Sequence, residues 1–168
     1  MTNTSVRIAS GIVIAIVSTA AFVRADQRRA APGPQLVPAE ISLKVAGDSY
    51  DAKGQASCTH APKGSIYNVI SEMWTVRHEQ DGRSFQLTLW KPVDGSASMF
   101  TLAANGKKNV SISTVRGGEV TGTGTVTLAP SGKGGKFAID AKAKGGDSVS
   151  GTITCEAFTP AIAEGGNE

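Results

Sequence analysis

Between residues 39 and 159, apolar and polar residues alternate in short runs separated by glycine-rich breaks. Ile41, Leu43 and Val45 share one face, with Ser42 and Lys44 opposite. From 50 to 60, Tyr50, Ala52, Ala56, Cys58 and His60 point one way, and Asp51, Lys53, Gln55, Ser57 and Thr59 the other. Phe137, Ile139 and Ala141 oppose Lys136, Asp140 and Lys142, and Val149, Gly151, Ile153 and Cys155 oppose Ser150, Thr152, Thr154 and Glu156. Successive side chains of a strand point to opposite faces, so each run predicts a strand with one dry and one wet face. Gly117-Gly118, Gly134-Gly135 and Gly145-Gly146 mark turns between strands. The pattern predicts an all-β domain, a single antiparallel β-sandwich or flattened barrel of about eight strands.

The sharpest local signal is a hairpin. Asp81-Gly82 is a favoured two-residue turn, because both of its positions must tolerate positive φ. Centring the turn there sets His78 against Phe85, Val76 against Leu87, Trp74 against Leu89 and Met73 against Trp90. One face then carries Trp74, Val76, Phe85, Leu87 and Leu89 and must be core. The other carries Thr75, Arg77, Glu79, Gln86 and Thr88. A slip of one residue would drive Arg77 and Glu79 inward, so the register is well specified. Ile66, Val69, Ile70, Met73 and Trp74 fit helical spacing, with Ser65 as a cap, so residues 65–71 are open between a helical turn and a strand.

Outside the alternating region the character changes. Residues 8–23 are 16 uncharged, largely apolar residues preceded by Arg7, which predicts a signal peptide over 1–25 with cleavage before Asp26. The rival reading is an uncleaved membrane anchor, although a spanning helix needs about 20 apolar residues. Residues 26–38 hold three prolines and two arginines and read as a linker, and 160–168 as a flexible tail. Residues 1–25 contain Arg7, Arg24 and no acid, so their loss leaves 15 of the 17 basic residues against 14 acidic ones, a net charge of +1. Nucleic-acid binding needs a clustered basic face. Lys133, Lys136, Lys142 and Lys144 are interleaved with Asp140 and Asp147, so no nucleic-acid partner is expected.

Cys58 and Cys155 are the only cysteines. In an exported protein an even pair predicts a disulfide, and alternation places both sulfurs on dry faces. A metal site on Cys58-Thr59-His60 lacks further ligands at a recognised spacing, and no cofactor is expected.

The remaining candidates are few. His78, on the dry face near a turn, is a ligand or pH-sensitive group, or simply a strand-end histidine with a satisfied hydrogen bond. His60, at the end of another strand, is open to the same two readings, as a ligand or as a loop-edge residue beside the disulfide. Met73 and Trp90 fall on a face that is otherwise polar, where an aromatic–methionine patch offers a surface for a ligand or partner unless something covers it. Thr121, Thr123, Thr125 and Thr127 form one row, with Gly122 and Gly124 opposite suggesting close approach of another backbone or ring.

The layout, an export signal followed by Gly/Thr-rich strands, a long-range cystine and a final strand reading SGTITCEAF, resembles small exported β proteins of bacterial envelopes. The mycobacterial surface-antigen lipoproteins are an example, although their lipidated cysteine has no counterpart here. The expectation is therefore an exported, non-catalytic module of the periplasm or cell envelope that binds an unknown small ligand or envelope protein. One alternative is a small secreted hydrolase or metal-dependent enzyme using His60 or His78. Another is a membrane-tethered accessory protein that keeps residues 8–23 as an anchor.

Overall fold

The structure, a computed structural model, describes residues 35–161. The predicted signal peptide, the linker up to residue 34 and the tail beyond Ala161 lie outside the described residues. Within them the chain is all strand and loop: β1 (Val37–Val45), β2 (Asp48–Ile66), β3 (Val69–Gln80), β4 (Arg83–Pro92), β5 (Met99–Asn105), β6 (Val110–Ser113), β7 (Gly122–Ser131), β8 (Gly134–Ala143), β9 (Ser148–Cys155) and the short β10 (Thr159–Pro160). There are ten strands where about eight were expected. β1 begins inside the segment read as linker, because Val37 is apolar and buried and Pro38 is only one position further on. Pro160 likewise belongs to β10 rather than to the tail.

The strands form one sheet in the order β6-β5-β4-β3-β2-β1-β9-β8-β7, every neighbour antiparallel, and it curls until it is nearly closed as a barrel. β2 joins the two halves of the wall. Its first part, through Ala56, pairs with β1, and its second part, from Ser57, pairs with β3. Alternation survives the change of neighbour: Tyr50, Ala56 and Cys58 are all buried.

The two rims nearly meet at β6 and β7. The Thr121 N–H donates to the Ser113 carbonyl (3.0 Å), and the Ser113 N–H to Thr121 Oγ1 (2.9 Å). Gly122 makes this approach possible. A Cβ there would collide with the Lys142 carbonyl oxygen and come within 2.9 Å of Ile112 Cγ2. Gly122 thus answers the close approach expected opposite the threonine row, while Thr123, Thr125 and Thr127 are exposed.

The β3–β4 hairpin has the register set by Asp81-Gly82, with φ of 53° and 70° at the two turn residues. Its inner face, Trp74, Val76, Phe85, Leu87 and Leu89, packs with Ile41, Leu43, Phe137, Ile139, Val149 and Ile153 in the barrel core. Residues 65–71 form no helix. They are the end of β2, a two-residue turn at Tyr67-Asn68 (φ 46° and 64°) and the start of β3. Gly134-Gly135 is not a turn either: the chain reverses at Gly132-Lys133, and both glycines belong to β8.

Cys58 and Cys155 form a disulfide, Cα atoms 6.4 Å apart and 97 positions apart in sequence. β1 runs between β2 and β9 but starts only at Val37, opposite Ala56. Cys58 lies two residues beyond Ala56, where the β1 pairing ends, and the disulfide ties it to Cys155 at the end of β9, fastening this corner. β10 closes it by pairing parallel to β2, and Thr159 Oγ1 donates to the Cys58 carbonyl (3.3 Å).

Candidate functional site

In an antiparallel meander, alternate connections fall at the same end. The β1–β2 turn at Ala46-Gly47, the β3–β4 turn, the β5–β6 loop and the β8–β9 turn therefore surround one mouth of the barrel. Two ion pairs tie them together: Lys107 Nζ to Asp48 Oδ1 (3.5 Å) and Lys108 Nζ to Asp147 Oδ1 (3.4 Å). Both are exposed and long, and such pairs contribute at most about 1 kcal/mol.

Inside this mouth lies a cavity of about 260 Å³, lined chiefly by Asp48, Tyr50, Arg83, Asn105, Lys107 and Lys108. Tyr50 is buried, and its ring meets Phe85 at a centroid distance of 6.1 Å. The Arg83 guanidinium carbon lies 4.9 Å from the Tyr50 ring centroid, within range for attraction between a cation and the negative face of an aromatic ring. Arg83 makes one long hydrogen bond, from Nη1 to the Ser49 carbonyl (3.4 Å). Among the described residues no carboxylate engages it, so most of its donors point to the cavity or to solvent.

His78 sits behind Tyr50. Its Nδ1 shares a 2.9 Å hydrogen bond with the Tyr50 hydroxyl, and the rings meet edge-to-face at 5.9 Å. Burial is the larger cause holding the His78 imidazole below its ordinary pKa, and the nearby positive charge of Arg83 adds to it. Burial also raises the Tyr50 hydroxyl, against the lowering influence of Arg83. Both groups are thus neutral near neutral pH, and Arg83 carries the fixed charge.

His60 occupies a different place. It lies opposite Trp74 and stacks on its indole at 4.9 Å and 12°, while Nε2 meets Glu72 Oε1 at 2.8 Å. His78 is four positions along β3 from Trp74, about 13 Å at the strand rise of ~3.3 Å per residue. Each histidine has its own partner, and the fold does not bring them together as metal ligands. Among the described residues no group of three or more His, Cys, Asp and Glu side chains gathers around a potential ion.

Met73 and Trp90 face each other as the hairpin register requires, but they are not an open patch. Trp90 is 8% exposed and forms a small core on the outer side of the wall with Met99 and Val115, backed by Ile66, Val69 and Met73. The β2–β3 hairpin and the loop after β6 provide this cover, with the Tyr67 ring lying over Gly117 and Gly118. An aromatic–methionine pair on the polar face is explained by a second layer of packing.

A wider groove of about 420 Å³ runs outside the wall past Gln55, Ser57, Arg77, Glu79 and Gln86. His78 and Phe85 also border it, but their rings are buried, and Arg77 and Glu79 balance in charge. Tyr50, Arg83, Lys107 and Lys108 therefore make the best-formed site, and none of them stands out in the sequence. The signal was topological: Tyr50 and Arg83 each lie just past a turn at the same end. No family model matches this chain, and neither a curated protein nor a solved structure matches it.

Proposed function

We propose that this protein is an exported, non-catalytic binding module that receives a small ligand in the barrel mouth. The observation that carries the reading is the cavity beside Tyr50, where polar and charged groups from three separate connections converge over an aromatic floor. Barrel mouths and pockets with a few convergent polar groups are the usual places for small-molecule sites. The volume of about 260 Å³ lies just below the usual range of about 300–1,000 Å³ for such sites, so the ligand is small. Export rests on the apolar run at 8–23, and the buried disulfide is compatible with an oxidising compartment.

Gly106 provides the test. A Cβ at this position meets only the Arg83 side chain, at 3.6 and 3.7 Å, so Gly106→Phe places a ring across the mouth without touching the core. In a thermal-shift screen of small anionic, neutral and cationic compounds, at least one class stabilises the wild type and leaves Gly106→Phe unmoved. Equal shifts in both proteins, or none in either, would contradict the proposal.

A further inference from the structure

The mouth also points to what it binds. Resting on the reading of the mouth as a ligand site, we infer that its ligand is a small oxyanion, a carboxylate or phosphate group, gripped by Arg83 and flanked by Lys107 and Lys108. Of the charged side chains lining the cavity, Arg83, Lys107 and Lys108 are positive and only Asp48 is negative. Asp48 and Asp147 meet the two lysines at 3.5 and 3.4 Å, in exposed pairs that a bound anion can replace at little cost. Arg83 is the distinctive member. Resting its guanidinium on the Tyr50 ring restrains the side chain while its edge stays free, with one 3.4 Å contact to a carbonyl and none to a carboxylate among the described residues. A guanidinium offers five donors in a planar fork that matches two oxygens of a carboxylate or phosphate.

The guanidinium rests on an aromatic pair, with His78 behind Tyr50. Glu79 on β3 is near enough to push the Tyr50 hydroxyl upward, but among the described residues it forms no ion pair with Arg83. Asn105 adds a side-chain amide at the rim, although its Nδ2 already donates to Ser84 Oγ (3.0 Å). A cationic ligand would have to enter past three positive side chains. A neutral one would leave the Arg83 donors unused in a partly enclosed site.

The experiment is calorimetric titration of the purified protein with succinate, inorganic phosphate, succinamide and choline, repeated on Arg83→Gln, Arg83→Lys and Gly106→Phe. Succinate or phosphate binds, with affinity falling as salt rises, and Arg83→Gln weakens it about tenfold or more, as loss of charged hydrogen bonds implies. The relative strength of the succinate and phosphate arms distinguishes the two oxyanions. Arg83→Lys retains charge but not the fork and falls between the wild type and Arg83→Gln. Unliganded melting temperatures of the Arg83 variants, matching the wild type, show that the fold is kept. Succinamide or choline binding as well as succinate, and lost in Gly106→Phe, overturns the oxyanion while leaving the mouth as a ligand site. Failure of every probe to bind overturns both.

Discussion

Reducing the Cys58–Cys155 bond perturbs the fold at one point only. Both sulfurs are buried, so cutting the link without changing a residue leaves packing almost intact and acts mainly on the unfolded chain. With 97 positions between the cysteines, the chain-entropy relation gives a stabilisation of about 4.7 kcal/mol at room temperature. Native stabilities of single domains are about 5–15 kcal/mol, so this bond is a large share of the total. The assay is urea unfolding followed by tryptophan fluorescence, oxidised against fully reduced, with Cys58→Ala/Cys155→Ala as a second form. The reduced protein loses roughly 3–5 kcal/mol, and the alanine form somewhat more because it adds small voids. A loss below about 1 kcal/mol would refute the reasoning. It would mean that β1, β9 and β10 hold that corner without the bond, or that the unfolded chain keeps the two segments together.

Three further outcomes follow from particular contacts. Gly122→Val forces a side chain into the Lys142 carbonyl and Ile112, so it lowers the melting temperature by the equivalent of about 1–3 kcal/mol and speeds amide exchange along β6 and β7. Trp90→Ala empties the outer core and costs about 3–5 kcal/mol in denaturant unfolding, yet leaves ligand affinity at the mouth unchanged, since Trp90 faces away from the barrel interior. His78 is held neutral by burial and by Arg83, so the unfolded chain takes up its proton first as pH falls. Its contribution is intact above the ordinary histidine range and is lost as pH drops through that range toward the lower folded value. Stability measured against pH therefore falls more steeply on the acid side in the wild type than in His78→Gln, and parallel curves would contradict that assignment.

How much was legible in the sequence depended on distance along the chain. The β3–β4 register could be read because a two-residue turn with a favoured pair fixes every partner on both strands. The disulfide could be read because only two cysteines exist and both fall on dry faces. Residues 65–71 could not. Their turn is Tyr67-Asn68, and positive φ at a tyrosine is uncommon enough that no turn signal marked it. Ile66, Val69 and Met73 mimic helical spacing because they face the outer core rather than the barrel interior. The alternation left a sandwich and a flattened barrel both open, because the curl of the wall depends on one 19-residue strand serving two neighbours in succession. The mouth was least legible of all: Tyr50, Arg83 and Lys107 meet only once strand order is known, and each alone is an ordinary turn-proximal residue.

The most direct test is a titration of ¹⁵N-labelled protein with succinate and, in parallel, with inorganic phosphate, followed by amide shifts. Binding of either anion at the mouth moves the resonances of Ser49, Tyr50, Arg83 and residues 105–108 together along one single-site isotherm, while β6, β7 and the outer core around Trp90 stay still. Shifts centred on the groove beside Arg77 and Glu79, or a full titration with no movement around Arg83, would contradict it.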